Sequence, residues 1–292
     1  MLSYISINNH SHILPFTSAF AAEYMAHIMH VSGTKGAVES ALAALKWVHS
    51  FVPGINQWNN PMNDEFLSKM ISSSRRSIKP TKNQKKPLSG DIIRKMIQIS
   101  NLDKVIELRD CLFVSLSFCL LLRHDDVSHI TLNHISDVDE GYKILIPKSK
   151  TDKFRNGSHV FLSKSNEECS VSKLLESYLV KVNLSLGKNH FLFFPLSANN
   201  GKRNEKLSYS SYHDIIRRLV SKVNLDPDEY GTHSCRSGGA TLLAPHVTEH
   251  ELLTTGRWKD ARSIRSYVEM NDSSRLSISE ILQGSISGQT SV

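Results

Sequence analysis

The stretch RRSIKPTKNQKKP, residues 75–87, constrains the fold more than any other part of the chain, because it holds six lysines and arginines, two prolines and no acid. A segment of that make-up cannot bury itself and reads as an extended basic linker. The 292 residues therefore divide into an amino-terminal domain over 1–74 and a larger domain over 88–292. The division suits the length, since one hydrophobic core stops growing near 250–300 residues, as an order of magnitude.

The two sides carry different periodicities. Between 17 and 74 apolar residues recur at helical spacing in TSAFAAEYMAHIMH, GAVESALAALKWVHSF and NDEFLSKMISSSRR, with no strand candidate among them. Thr17 and Asn63 stand where N-caps belong, and Pro53-Gly54 where a helix must break. After the linker, SGDIIRKMIQIS and DKVIELRDCLFVSLSFCLLL read as helices, the second apolar enough all round to be buried. HITLNHI, YKILIPKS and SHVFLS are then alternating or β-branched runs separated by DVDEG and KTDKFRNG, which predicts a three-stranded antiparallel sheet with tight turns. Helical patterns return near 169–184, 209–224, 232–244, 248–255 and 262–269. The predicted class is mainly α with a small antiparallel β-sheet, an α+β arrangement in two domains.

Charge narrows the partners. Lysine and arginine outnumber aspartate and glutamate by 35 to 28, a net +7. Six of those seven charges lie in the linker. A cationic strap between domains suits a phosphate backbone and would give affinity that falls steeply with salt; a solvated linker or a nuclear-import signal would have the same composition. The four cysteines show no Cys-x-x-Cys spacing, so neither a zinc knuckle nor a disulfide framework is indicated and a reducing compartment is expected. The amino terminus lacks the basic and apolar regions of a signal peptide, and the longest apolar run, LFVSLSFCLLL, is too short for a bilayer, so an intracellular protein without a membrane partner is expected.

Against this map the stretch THSCRSGGAT, residues 232–241, acquires companions. By itself its His-x-x-Arg pair is too short to identify anything. Arg123 closes the apolar run in LLLRHDDV, Lys150 sits in the hairpin turn PKSKTDKF, His233 and Arg236 share a helix start, Trp258 lies in GRWKD and Tyr267 in IRSYVEM. Arg123 precedes Lys150 by 27 residues, Arg236 precedes Trp258 by 22, and Trp258 precedes Tyr267 by nine. These residues, their order and spacing resemble the tyrosine recombinase, or phage integrase, family, strongly over 88–283. Residues 17–74 resemble its helical, SAM-like core-binding domain, which often has a further helix ahead of this point, so a shortened copy is one expectation. Gly238, Gly239 and Gly256 match the family's small-residue positions, and Asp126 stands where glutamate is common.

The resemblance implies a catalytic set of Arg123, Lys150, His233, Arg236, Trp258 and Tyr267, no metal or other cofactor, double-stranded DNA as partner, and a homotetramer assembled on it. The chemistry explains the residue types. Breaking a phosphodiester needs a nucleophile, charge on the non-bridging oxygens and a proton for the departing 5′ oxygen. A phenol supplies the first reversibly. Two guanidinium forks supply the second without losing charge. A lysine on a turn can supply the third, although Lys148 and Lys153 compete with Lys150 for the part. His233 can donate to a phosphate oxygen or accept the phenol proton, and the Trp258 indole N–H can donate beside a broad packing face. Tyr209, Tyr212 and Tyr230 are rival phenols at the wrong distance from Trp258.

Three alternatives remain open at this point: a non-catalytic DNA-binding descendant of a mobile-element recombinase, a type IB topoisomerase-like enzyme, and a zinc metallopeptidase. The last rests on HVTEH, residues 246–250, which fits an inverted His-x-x-Glu-His pattern, with Glu269 or Glu280 as third ligand. A eukaryotic mobile element is one source for such a chain and would place it in the nucleus. The tail SSRLSISEILQGSISGQTSV could dock one amphipathic turn on a neighbour or fray.

Overall fold

The computed structural model describes residues 14–77, 85–148, 157–196, 203–264 and 283. The chain forms two compact units that meet in sequence between Asn83 and Gln84. Among the described residues no helix is long and apolar enough to cross a membrane.

The first unit is helical. Helix α1, Ser18–Ser32, begins where the Thr17 side chain accepts the Phe20 N–H, and ends at Gly33, whose left-handed backbone at φ 59° suits a residue without Cβ. Helix α2 covers Lys35–His49 and α3 covers Glu65–Ser77. The cap of α3 is Asp64, whose carboxylate accepts the Phe66 N–H at 2.7 Å. Asn63, the expected cap, belongs to a short 3-10 turn, Pro61–Asn63, because Pro61 starts a tighter turn ahead of the helix. Ala21, Met25, Val38, Leu45, Met62 and Leu67 join the three helices in one core. His49 is buried inside it and accepts the Phe16 N–H on Nε2 at 2.8 Å, so its Nδ1 donates to the Leu45 carbonyl at 2.7 Å.

Both ends of the basic stretch belong to ordered structure. Helix α3 runs on to Ser77. On the other side Lys86 N–H donates to the Glu229 carbonyl at 2.7 Å and Leu88 N–H to the Ser234 carbonyl at 2.9 Å. The rest of the expected linker lies outside the described residues.

In the second unit α4, Gly90–Ile99, starts at the Ser89 cap, and α5, Val105–Cys119, is the central element. Every residue of α5 from Leu108 to Phe118 is buried, as an apolar helix without a polar face must be. The two charges of that buried stretch are compensated inside. Asp110 accepts from Arg109 at 2.7 Å and from Arg218, while Arg109 Nη1 donates to the Phe194 carbonyl. Leu121 then takes φ 50° and reverses the chain into α6, His124–Ser128. Arg123 therefore opens a new short helix instead of closing the long one.

Strands β1, Ile135–Val138, β2, Gly141–Ile146, and β3, Ser158–Ser163, form an antiparallel sheet in that order. Ile144 faces Ile135 on one side and Val160 on the other. The first strand lies later than HITLNHI suggested, since Leu132–His134 is a 3-10 turn held by a hydrogen bond from Thr131 N–H to His134 Nδ1 at 3.2 Å. Helices α7, Val171–Lys181, α8, Tyr209–Lys222, α9, Ser234–Leu243, α10, Glu249–Gly256, and α11, Ala261–Ile264, follow. The last prediction, over 262–269, lies beyond Ile264 largely outside the described residues, and of the tail only Gln283 is described.

Helix α9 packs through two glycines, Gly239 against α5 and Gly238 against Leu88 ahead of α4. A Cβ at Gly238 would lie 1.8 Å from the Leu88 carbonyl oxygen, and one at Gly239 would lie 2.4 Å from that of Phe118. Close backbone approach, not turn geometry, accounts for the Gly-Gly pair.

Candidate active site

The carboxyl end of α5 gathers the site. Its last carbonyls have no intrahelical donors and carry the negative end of the helix dipole, so cations are favoured there. Arg236, on α9, is fully buried and donates Nη1 to the Leu121 carbonyl and Nη2 to the Gly256 carbonyl. Its guanidinium carbon lies 4.2 Å from the ring centroid of Trp258, a cation–π stack on the face of the indole. Trp258 in turn lies against Gly256, where a Cβ would come within 1.7 Å of the ring. One small residue thus lets the indole fold back beneath Arg236.

Arg123 reaches the same place from α6. Its N–H donates to Asp126 Oδ2 at 3.0 Å, while its Nη1 lies 3.9 Å from that oxygen, beyond hydrogen-bond range. Asp126 is buried completely. Its shorter chain still reaches, because it sits three residues along the same helix start, where a carboxylate closes the first turn.

A third arginine stands here that reading the sequence for known motif positions passed over. Arg257 donates Nη2 to the Leu121 carbonyl at 3.1 Å and to Asp126 Oδ2 at 3.4 Å. Burial lowers its proton affinity and Asp126 opposes that, with Arg123 adding a smaller push downward; an arginine stays charged regardless. The signal was in GRWKD: an arginine directly after a helix-ending glycine.

His233 is exposed at the start of α9, and its carbonyl accepts the Ser237 N–H at 2.9 Å. Its neighbour Thr232 shares a hydrogen bond with the Tyr209 phenol at 3.0 Å. Cys235, between His233 and Arg236, is buried and its thiol is pushed up to about 12 by that burial, which makes it inert. Lys150, Lys153 and Tyr267 lie outside the described residues. Lys148 is described, with its ammonium 3.8 Å from Asp125 on α6. The base of the hairpin is thereby beside the helix that Arg123 opens.

Among the rival phenols, Tyr212 is fully buried with its O–H on Cys235 Sγ at 3.3 Å, and burial raises its pKa far above the ordinary value. Tyr230 is also buried. Neither can meet a DNA backbone as it stands. Tyr209 is 58% exposed.

The two histidines of the zinc-peptidase alternative lie on different elements, and Glu269 and Glu280, its candidate third ligands, lie outside the described residues. Thr248 caps α10, accepting the Glu251 N–H, and Glu251 returns to the Thr248 N–H at 2.8 Å. His246 belongs to a 3-10 turn ahead of that cap, so it cannot share a helical face with His250. Among the described residues no three His, Cys, Asp or Glu side chains converge to hold a metal.

A model of the phage integrase family matches residues 86–274. The chain belongs to this family. An integrase/recombinase XerD homologue of Selenomonas ruminantium is 24% identical over 222 residues, which cover 75% of this chain and 64% of that protein. The chain thus aligns with less than two thirds of that relative's length. Solved structures share the fold. The XerH site-specific recombinase bound to palindromic difH substrate, a post-cleavage complex, superposes with a TM-score of 0.62 at 14% identity, over 96% of this chain and 76% of that one. The Tn1549 transposon integrase in complex with transposon right end DNA gives 0.58 at 14% identity, over 94% and 88%. A lambda integrase dimer bound to a COC′ core site gives 0.57 at 16%, over 89% and 82%.

Proposed function

We propose that this phage integrase family member is a site-specific DNA strand transferase that cuts and rejoins DNA through a 3′-phosphotyrosyl intermediate. The observation that carries the reading is the convergence of Arg123, Arg236 and Trp258, spread over 135 positions, on one helix end, with His233 at the start of the helix that carries Arg236. In this reading the Tyr267 oxygen attacks the scissile phosphorus and the bond to the 5′ oxygen breaks. The phenol proton passes to His233 or water, and Lys150 gives a proton to the leaving oxygen. Arg123 and Arg236 hold the non-bridging oxygens, Arg236 trading a carbonyl bond for a phosphoryl one. Attack by a 5′ hydroxyl from a partner strand reverses each step, so strand exchange calls for four copies on the DNA. The protein would work inside the cell, wherever that DNA resides, and the segment 75–87 would follow its backbone.

Selection of bound fragments from random duplex DNA, followed by a nicked duplex of the recovered sequence, tests this. The unaltered chain is expected to form a covalent adduct that persists in excess chelator, since guanidinium charge serves where metal charge otherwise would. Tyr267→Phe is expected to abolish the adduct and keep binding. An adduct from the phenylalanine variant would show the nucleophile to be another residue. The full burial of Arg236 favours a second reading, a non-catalytic DNA-binding descendant; binding with no adduct from any sequence would decide for it. Relaxation of supercoiled plasmid without a specific site would point to topoisomerase-like chemistry.

A further inference from the structure

Arg257 has no part in the mechanism above, yet its two terminal nitrogens reach backbone carbonyls and a carboxylate of the site. Its backbone lies at φ 56°, ψ 40° at the end of α10, in the left-handed region where glycine is the ordinary occupant. Glycine would serve that turn better. What arginine adds must come from its side chain, and that side chain is 10% exposed.

Nη1 donates within its own helix end, to the Thr255 carbonyl at 3.3 Å, and both Nη1 and Nη2 also reach the turn that presents Arg123. Nη1 lies 3.4 Å from the Leu120 carbonyl, and Nη2 lies 3.1 Å from the Leu121 carbonyl and 3.4 Å from Asp126 Oδ2. Leu120 and Leu121 are the two residues by which the chain leaves α5, the second at φ 50°. Asp126 is the buried carboxylate that Arg123 hydrogen-bonds through its backbone N–H, while its Nη1 stays 3.9 Å from the same oxygen, at ion-pair distance. The Arg123 Nη1 is itself buried and has no hydrogen-bond partner among the described residues. Without Arg257, Asp126 would draw the Arg123 guanidinium onto itself, because a buried carboxylate needs a cation and Arg123 is the other one within reach.

We propose that Arg257 is a positioning residue that clamps the Leu120–Arg123 turn by its carbonyls and occupies the Asp126 carboxylate, leaving the Arg123 guanidinium aimed at the DNA phosphate. The inference rests on the reading of Arg123 as a phosphate ligand. Its test uses the full chain and the nicked duplex described above. Arg257→Gly keeps the left-handed turn and removes the guanidinium, whereas Arg257→Leu fills the space with an apolar group. At saturating DNA, Arg257→Gly is expected to slow adduct formation about tenfold or more while DNA affinity stays within about threefold, the signature of an interaction made in the transition state. Guanidinium ion added to the assay is expected to restore part of that rate for the glycine variant and none for the leucine variant. Amide hydrogen exchange in the peptide containing Arg123 is expected to quicken in Arg257→Gly.

An unaltered adduct rate in Arg257→Gly would overturn the proposal. So would a loss that tracks DNA affinity and resists guanidinium rescue, which is what a merely structural side chain would show. Arg123→Ala separates the two levels of inference. If it forms adduct at the unaltered rate, or if the unaltered chain forms none, the phosphate reading falls and this one with it. If Arg123→Ala is inactive and Arg257→Gly is not, the role of Arg257 alone is wrong.

Discussion

Asp126 joins two arginines that come from opposite ends of the second unit's sequence. A buried carboxylate is tolerated when its charge is met, and here Arg257 and the Arg123 backbone N–H meet it. Removing it leaves two nearly buried guanidinium groups with nothing between them. Asp126→Leu is therefore expected to destabilise the second unit by about 3 kcal/mol, and Asp126→Asn by clearly less, since an amide oxygen still accepts the N–H. Urea unfolding of the variants measures this, and an effect of the leucine variant below about 1 kcal/mol would show that Asp126 is not the junction described. The residue scale is where reading the sequence was most uneven. Residue types and spacings pointed to Arg123, His233, Arg236 and Trp258, but nothing in them showed that Arg236 would lie inside the protein, its donors on backbone carbonyls. Which way a guanidinium faces depends on what surrounds it after folding.

At the scale of elements, α9 is set against α5 and against the segment at Leu88 by the absence of side chains. The Leu88 carbonyl occupies the space that a Cβ at Gly238 would need, and Leu88 is itself tied by its N–H to the Ser234 carbonyl. Backbone on both sides cannot yield as a flexible side chain would. Gly238→Ala is expected to cost about 3 kcal/mol, at the upper end for overpacking, and to lower adduct formation because Arg236 shares the helix. A stability change within about 0.5 kcal/mol would mean that α9 has room to shift. Helix existence was legible from periodicity, and Thr17, Ser89 and Thr248 all cap as their residue type allows. Boundaries were less so. Asp64 replaced Asn63 as a cap, and Leu132–His134 turned instead of extending, because local side-chain hydrogen bonds competed with the regular pattern.

For the molecule as a whole, pH reports on its half-buried histidine rings. His124 stacks on Tyr212 with centroids 5.5 Å apart, meets Tyr209 edge-on, and has its pKa lowered chiefly by burial. His134 is lowered for the same reason. A histidine that resists protonation when folded binds a proton more readily unfolded, so its stabilising effect is complete above the unfolded value of about 6.5 and is lost as pH falls below it. The urea midpoint of the second unit is expected to drop between pH 7.5 and 5.5, as rough bounds on that window, and His124→Phe is expected to flatten the drop. A midpoint that holds steady across the window would refute the assignment. Glu107 and Glu176, held low chiefly by hydrogen bonds from lysines, act only at more acid pH.

The division into helices, sheet and basic stretch, and the order of the residues that mark the family, were determined by the sequence alone, because periodicity, charge and spacing are properties of the chain before it folds. The meeting of Arg123, Arg236 and Arg257 on the carbonyls and carboxylate at the end of α5 was decided only by tertiary structure. Their proximity depends on a reversal at Leu121, two glycines that let α9 approach, and an indole folded over Gly256, and each of these acts through distances that no linear pattern contains.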